Sequence, residues 1–185
     1  MRSDDLRLQG PKSLLVTYAS VMHLLRAHGV IRTFNNPVAD IAEWLVSPKL
    51  DLTLEGSSAK GFDATDARGQ RYQIKGRWLA GRNQSTQLSA IRNLPASPFD
   101  FLVAVMFDGN FSVEYGAVIP VATVQEKSTY VPHTNSYRFN FHRSLLLVSG
   151  VRDVTAELQV FPPTAEEVRL LNALQSAQST IGSIS

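Results

Sequence analysis

The segment 99–107, Phe-Asp-Phe-Leu-Val-Ala-Val-Met-Phe, constrains the fold of this chain more than any other. It is far shorter than the roughly 18 apolar residues a membrane span needs, and no longer apolar run occurs elsewhere. It also lacks the alternation of a strand with one wet face, so it reads as a central strand covered on both sides. Such a strand needs layers above and below it, which predicts an α/β fold. Asp108-Gly109 then signals a hairpin that returns the chain along 111–119.

The flanking patterns supply the layers. Leu14, Leu15, Tyr18, Met22 and Leu25 fall at helical spacing over 12–28, and Gly29 marks a stop. Asn36-Pro37 opens a second helix, predicted to reach about Val46 and to end before Pro48. Val38, Ile41, Ala42 and Leu45 form its buried stripe, with Asp40 and Glu43 on other faces. Residues 61–77 change to the period of strands, with a turn at Asp66-Ala-Arg-Gly-Gln. Residues 78–98 are polar and loop-like, with a helical turn expected over 86–93. A short helix is expected at 121–127, and Tyr137-Arg-Phe-Asn-Phe alternates like a strand. Thr164 and Glu167 form a capping box for a last helix. The reading is a single domain over 1–177 and a flexible tail over 178–185.

Composition narrows the class. With 44% hydrophobic and 18% charged residues among 185, the chain is globular rather than disordered. It has no cysteine, which excludes disulfides, thiolate zinc sites and cysteine nucleophiles. The start, Met1-Arg-Ser-Asp-Asp, lacks the apolar region of a signal peptide, and a cytoplasmic address with no membrane association is expected. Net charge is only +2, yet seven cations lie between Lys60 and Arg92 against two acids, Asp63 and Asp66. Lys60, Arg77 and Arg82, with Ser58, are the candidates for contact with a phosphate backbone.

The hairpin gathers chemistry. If Ala67-Arg68-Gly69 form the loop with Gly69 left-handed, Asp66 pairs with Gln70 and Asp63 lies opposite Gln73. Opposite residues share a face, and Lys75 shares it too, while Tyr72 and Ile74 point to the core. An exposed hairpin edge would then hold a carboxylate, an amide oxygen and an ammonium group. Asp63, the Gln73 side-chain oxygen and the Ile74 carbonyl are hard ligands suited to Mg²⁺, which keeps several waters. Such an ion polarises a phosphodiester and acidifies water, with Lys75 orienting the water or stabilising charge on phosphorus. Whether Lys75 is itself a base is open; the neighbouring carboxylate favours its charged form.

Asp63, nine residues, then Gln73-Ile74-Lys75 resembles the PD-(D/E)XK nuclease signature in the variant where Gln replaces the first acid. The wider stretch, Ala39-Asp-Ile-Ala-Glu-Trp-Leu, Ser58-Ala-Lys-Gly-Phe-Asp-Ala and Gly69-Gln-Arg-Tyr-Gln-Ile-Lys-Gly-Arg, is similar to restriction-endonuclease-like proteins over roughly residues 35–120. The resemblance implies a central mixed β-sheet flanked by helices and a Mg²⁺- or Mn²⁺-dependent endonuclease acting on DNA in restriction, repair or defence. It implies catalytic roles for Asp63, Gln73 and Lys75, and for Glu43 from the helix before the hairpin, which would join Asp63, Gln73 and Ile74 at the metal. A homodimer would let two sites cut two strands. Phe62 stands where the signature has Pro, and the neutral Gln73 leaves one negative charge fewer.

Blander readings stand beside these. An inactive nucleic-acid-binding module of the same fold, or a protein-interaction domain with a solvated hairpin face, fits the same residues. Asp66 is explained by its turn, and Asp40 and Glu43 could both be solvated. Trp44 and Trp78 are read as packing residues, although Trp78 opens the basic loop where an indole could stack on a base. The four histidines, His23, His28, His133 and His142, have no ligand spacing and read as structural or surface groups.

Overall fold

A computed structural model describes residues 6–56, 61–81, 84–162 and 169. The chain divides into two compact units, residues 1–34 with 162–185, and residues 35–161. The first contains α1 (Pro11–Ala27), with proline at its start and Gly29 at φ 72 just beyond its end. There Arg26 lies over the Phe34 ring and His23 packs edge-on to it. The predicted capping box at Thr164 and the tail lie outside the described residues.

The second unit is built on a six-stranded mixed sheet in the order β1-β2-β3-β4-β5-β8. Its strands are β1 (Thr53–Leu54), β2 (Ala64–Thr65), β3 (Arg71–Trp78), β4 (Phe101–Phe107), β5 (Val113–Pro120) and β8 (Arg152–Asp153). β3 and β4 run parallel; the other neighbours are antiparallel. A separate ribbon pairs β6 (Thr129–Val131) with β7 (Ser136–Arg138). The α/β expectation holds. No helix among the described residues is long and apolar enough to cross a membrane.

β4 is the central strand its composition requires, with Leu102 to Phe107 all at 0% exposure. α2 (Val38–Lys49) covers one face of the sheet, and α4 (Thr155–Leu158) packs on β5. A Cβ on Gly76 would sit 2.8 Å from the Val38 carbonyl oxygen, so glycine lets α2 lie directly on β3. The other face carries Leu102, Ala104, Met106, Tyr115, Ala117 and Ile119 in one apolar cluster. That cluster is closed by Leu88, Ile91 and Leu94, by Phe139 and Phe141, and by Val124 of α3 (Val121–Lys127).

Three expectations are corrected. α2 continues through Pro48 to Lys49, because a proline there forfeits only one hydrogen bond near the helix end. The helical turn over 86–93 is absent: Leu88 donates to the Phe139 carbonyl, and Ile91 exchanges backbone bonds with Tyr137. Extended pairing there directs Leu88 and Ile91 into the core. Asp40 and Glu43 are not solvated but buried, at 8% and 9% exposure. Asn36 caps α2 as expected, its Oδ1 accepting the Val38 N–H at 3.1 Å.

Candidate active site

The hairpin forms in the expected register. Asp66 N–H donates to the Gln70 carbonyl, Gly69 N–H donates to the Asp66 carbonyl, and Gly69 adopts φ 77. Asp66 Oδ1 accepts the Arg68 and Gln70 N–H groups, each at 2.9 Å, which confirms Asp66 as a turn residue. Ala64 opposes Tyr72, and Asp63 follows just past this last paired residue, where its carboxylate meets the Gln73 amide. β3 is anchored at its start by Asp100, which accepts the Arg71 backbone N–H at 2.8 Å and the Arg71 guanidinium at 2.9 Å.

β2 ends after two residues while β3 continues, and Asp63 sits where the strands part. Its backbone N–H donates to the Tyr72 carbonyl at 2.8 Å. Its carboxylate replaces the missing strand: Oδ2 accepts the Ile74 N–H at 2.7 Å and a short bond from Gln73 Nε2. The side chain thus terminates a ladder, a structural task that coexists with any chemical one. A strand turns a residue's C=O to the same edge as its N–H, so the Ile74 carbonyl faces this side too.

Lys75 reaches across the same face and donates to Ser89 Oγ at 2.9 Å. The ammonium is half-buried, and burial lowers its pKa while the charge on Asp63 opposes the shift. The site is less exposed than expected, with Gln73 and Lys75 both partly buried.

Asp63, Gln73, the Ile74 backbone and Lys75 are therefore brought together. Glu43 rides on α2, which packs on the opposite face of β3, the one bearing Ile74 and Gly76. Glu55 is an acid that sequence reasoning missed. Its N–H donates to the Asp63 carbonyl at 2.9 Å, and its carboxylate accepts the Thr65 hydroxyl at 3.0 Å. Register continues β1 so that Glu55 stands across from Asp63 on the same face. The short apolar content of β1 gave no signal for that pairing, and nothing in the irregular stretch around Ser89 marked it as the partner of Lys75.

Of the phosphate-contact candidates, Arg77 donates through Nε to the Ser85 carbonyl at 3.1 Å. Ser58, Lys60 and Arg82 lie outside the described residues. Trp44 packs against Phe161 with centroids 5.9 Å apart. Trp78 is not a core residue; it is 36% exposed and stacked on Phe111. All four histidines are exposed. Among the described residues no three His, Cys, Asp or Glu side chains gather to hold a metal ion. An all-carboxylate cage is thus absent there, and the local donors are one carboxylate, an amide and a main-chain carbonyl. No protein-family model matches the chain, and no curated protein is detectably similar to it.

Proposed function

We propose that the chain is a metal-dependent deoxyribonuclease of the PD-(D/E)XK, restriction-endonuclease-like class, with its site at the parting of β2 and β3. The observation that carries this reading is the meeting of Asp63, Gln73 and a half-buried Lys75 on one face of the hairpin. Such a face, if merely solvated, would leave its lysine extended into water rather than sunk beside a carboxylate.

The donor set fits a hard divalent ion that binds few protein groups. Asp63, the Ile74 carbonyl and the Gln73 oxygen would hold it; the Gln73 amide, now donating to Asp63, must turn over to present Oε1. Bound Mg²⁺ or Mn²⁺ supplies Lewis acidity to the phosphodiester. Lys75 holds the developing negative charge on the phosphorus oxygens and orients the attacking water. In the net reaction the water oxygen bonds to phosphorus and one P–O ester bond breaks. One water proton ends on the departing alcohol, leaving a phosphomonoester.

The test is Mn²⁺ titration together with cleavage of plasmid and linear DNA. Wild type should bind the ion and cut. Asp63→Ala should lose both, and Lys75→Ala should keep the ion but cut at least about 100-fold more slowly. DNA binding without cleavage or metal would support instead an inactive binding module. Binding of neither would overturn both readings.

A further inference from the structure

A groove of about 490 Å³ opens beside the hairpin site, and Gly76, Arg77, Trp78, Gln87, Ser89 and Asn36 are among its walls. That volume falls in the range of small-ligand sites. The groove joins the site directly, because Ser89, the partner of Lys75, belongs to its wall. Along β3, Trp78 is three residues beyond Lys75, roughly 10 Å at strand rise, and by alternation its side chain leaves the opposite face of the strand. The groove has walls from both faces and so passes the edge of β3 that β2 leaves open; a nucleic-acid strand with its phosphate at Lys75 would cross that edge to bring its neighbouring base to the indole.

Trp78 is built as a shelf. Its ring is stacked on Phe111 at 4.7 Å and 22°, and Phe111 in turn packs against Phe107 at 6.1 Å. Phe111 takes φ 64, a conformation bulky side chains rarely adopt. The turn enforces it, with Asp108 Oδ1 accepting the Asn110 and Ser112 N–H groups at 2.8 and 2.9 Å. Strain of this kind is maintained only where the surroundings over-determine it. Here it fixes the ring that backs the tryptophan. With 36% of Trp78 still exposed, the pair offers an aromatic surface flanked by the amides of Asn36 and Gln87 and by Arg77.

We infer that this groove takes an unpaired nucleobase, stacked on Trp78, from the nucleotide beside the scissile phosphate. Bases inside a duplex are already stacked on both faces, so the groove selects single-stranded segments, frayed ends or extruded bases. The inference rests on the nuclease reading for its choice of ligand and sharpens the substrate from DNA to unpaired DNA.

The test uses the full chain carrying Trp44→Phe, so that fluorescence reports Trp78 alone, with the divalent ion withheld by chelator so that nothing is cut. The probes are an oligothymidylate and a blunt hairpin duplex of equal length. The single strand should quench Trp78. Adding Trp78→Ala should weaken its binding by about 5- to 150-fold, with duplex binding changed by less than about 2-fold and Trp78→Phe recovering part of the loss. Should Trp78→Ala fail to fold, quenching and the Trp78→Phe ratio still decide. Bound single strand without quenching, or equal losses for both probes, overturns the inference. If the parent chain cuts DNA but shows no single-strand effect of Trp78→Ala, only this inference fails. If it binds single strands through Trp78 yet never cuts, only the nuclease reading fails.

Discussion

Replacing Gly76 by alanine adds one methyl group where α2 lies on β3. That methyl would meet the Val38 carbonyl oxygen at 2.8 Å, the Ala42 Cβ at 3.0 Å and Val38 Cγ1 at 3.1 Å. The first is helix backbone and cannot rotate away, so α2 must retreat by several tenths of an ångström while its buried stripe resists. Overpacking of this kind costs about 1–3 kcal/mol. Residue 76 is not in the left-handed region, so alanine recovers roughly 0.5–1 kcal/mol of chain entropy that glycine forfeits in a strand. The net expectation is destabilisation by about 1–2 kcal/mol, or a fall in Tm of ~2–8 °C for a chain of this size. Two controls set the scale. At Gly116 the closest atom is the Leu158 Cδ1 tip at 2.8 Å, on a four-residue helix that can yield, so alanine there should cost less. At Gly109 nothing comes nearer than 3.9 Å, and the melting curve should barely move. Thermal melts followed by circular dichroism measure all three. A Gly76→Ala protein as stable as wild type would refute the account of how α2 is seated.

Asp100→Asn should lower stability by ~1–2 kcal/mol at neutral pH, since charge-assisted bonds to Arg71 are lost from a half-exposed pair. The Arg71 side-chain hydrogen bond holds the Asp100 pKa below its ordinary value. Its contribution is therefore present above an unfolded pKa of about 3.9 and lost as pH falls through the lower folded value. Acid titration of stability should show a shallower acid limb in the variant. Gly69→Ala should cost ~1 kcal/mol from backbone strain alone, because φ is 77 and no atom lies within 4 Å; Gly69→Asn should cost less. Glu55→Gln should weaken Mn²⁺ binding by calorimetry about 10-fold, and more than Glu43→Gln, because Glu55 shares the face of Asp63 and α2 packs on the other. The reverse order would place the second acid on α2.

What the sequence makes legible follows from where local chemistry decides the outcome. Asp66 and Gly69 specify a turn almost alone, and that turn sets the register, ending at Ala64–Tyr72, that brings the Asp63 carboxylate to Gln73. The uninterrupted apolar run of β4 and the stripe of α2 are decided by burial, which side-chain type reports. Long-range pairings have no such local signature. The strand-like course of Leu88 and Ile91 depends on partners some fifty residues later, and polar composition points instead to a loop. The burial of Asp40 and Glu43 is a tertiary fact that overrides their polarity. In the turn after β4 the glycine at 109 drew attention, but Phe111 is the residue that adopts the left-handed conformation, held there by Asp108.

The link from β3 to β4 has an unusual economy of material. Parallel neighbours are ordinarily joined through a helix packed on the sheet. The described part of this link instead has a single 3-10 turn, Leu94–Ala96, and closes the second face with Leu88, Ile91 and Leu94. The same stretch delivers Ser89 to Lys75. One ribbon of chain is therefore both gasket for the hydrophobic interior and support for the Lys75 side chain. Trimming an aliphatic side chain from its hidden side, as in Leu88→Ala, would slacken the grip on the lysine without touching any polar group. Lengthening the ribbon should be tolerated poorly, although most surface connections accept insertions readily.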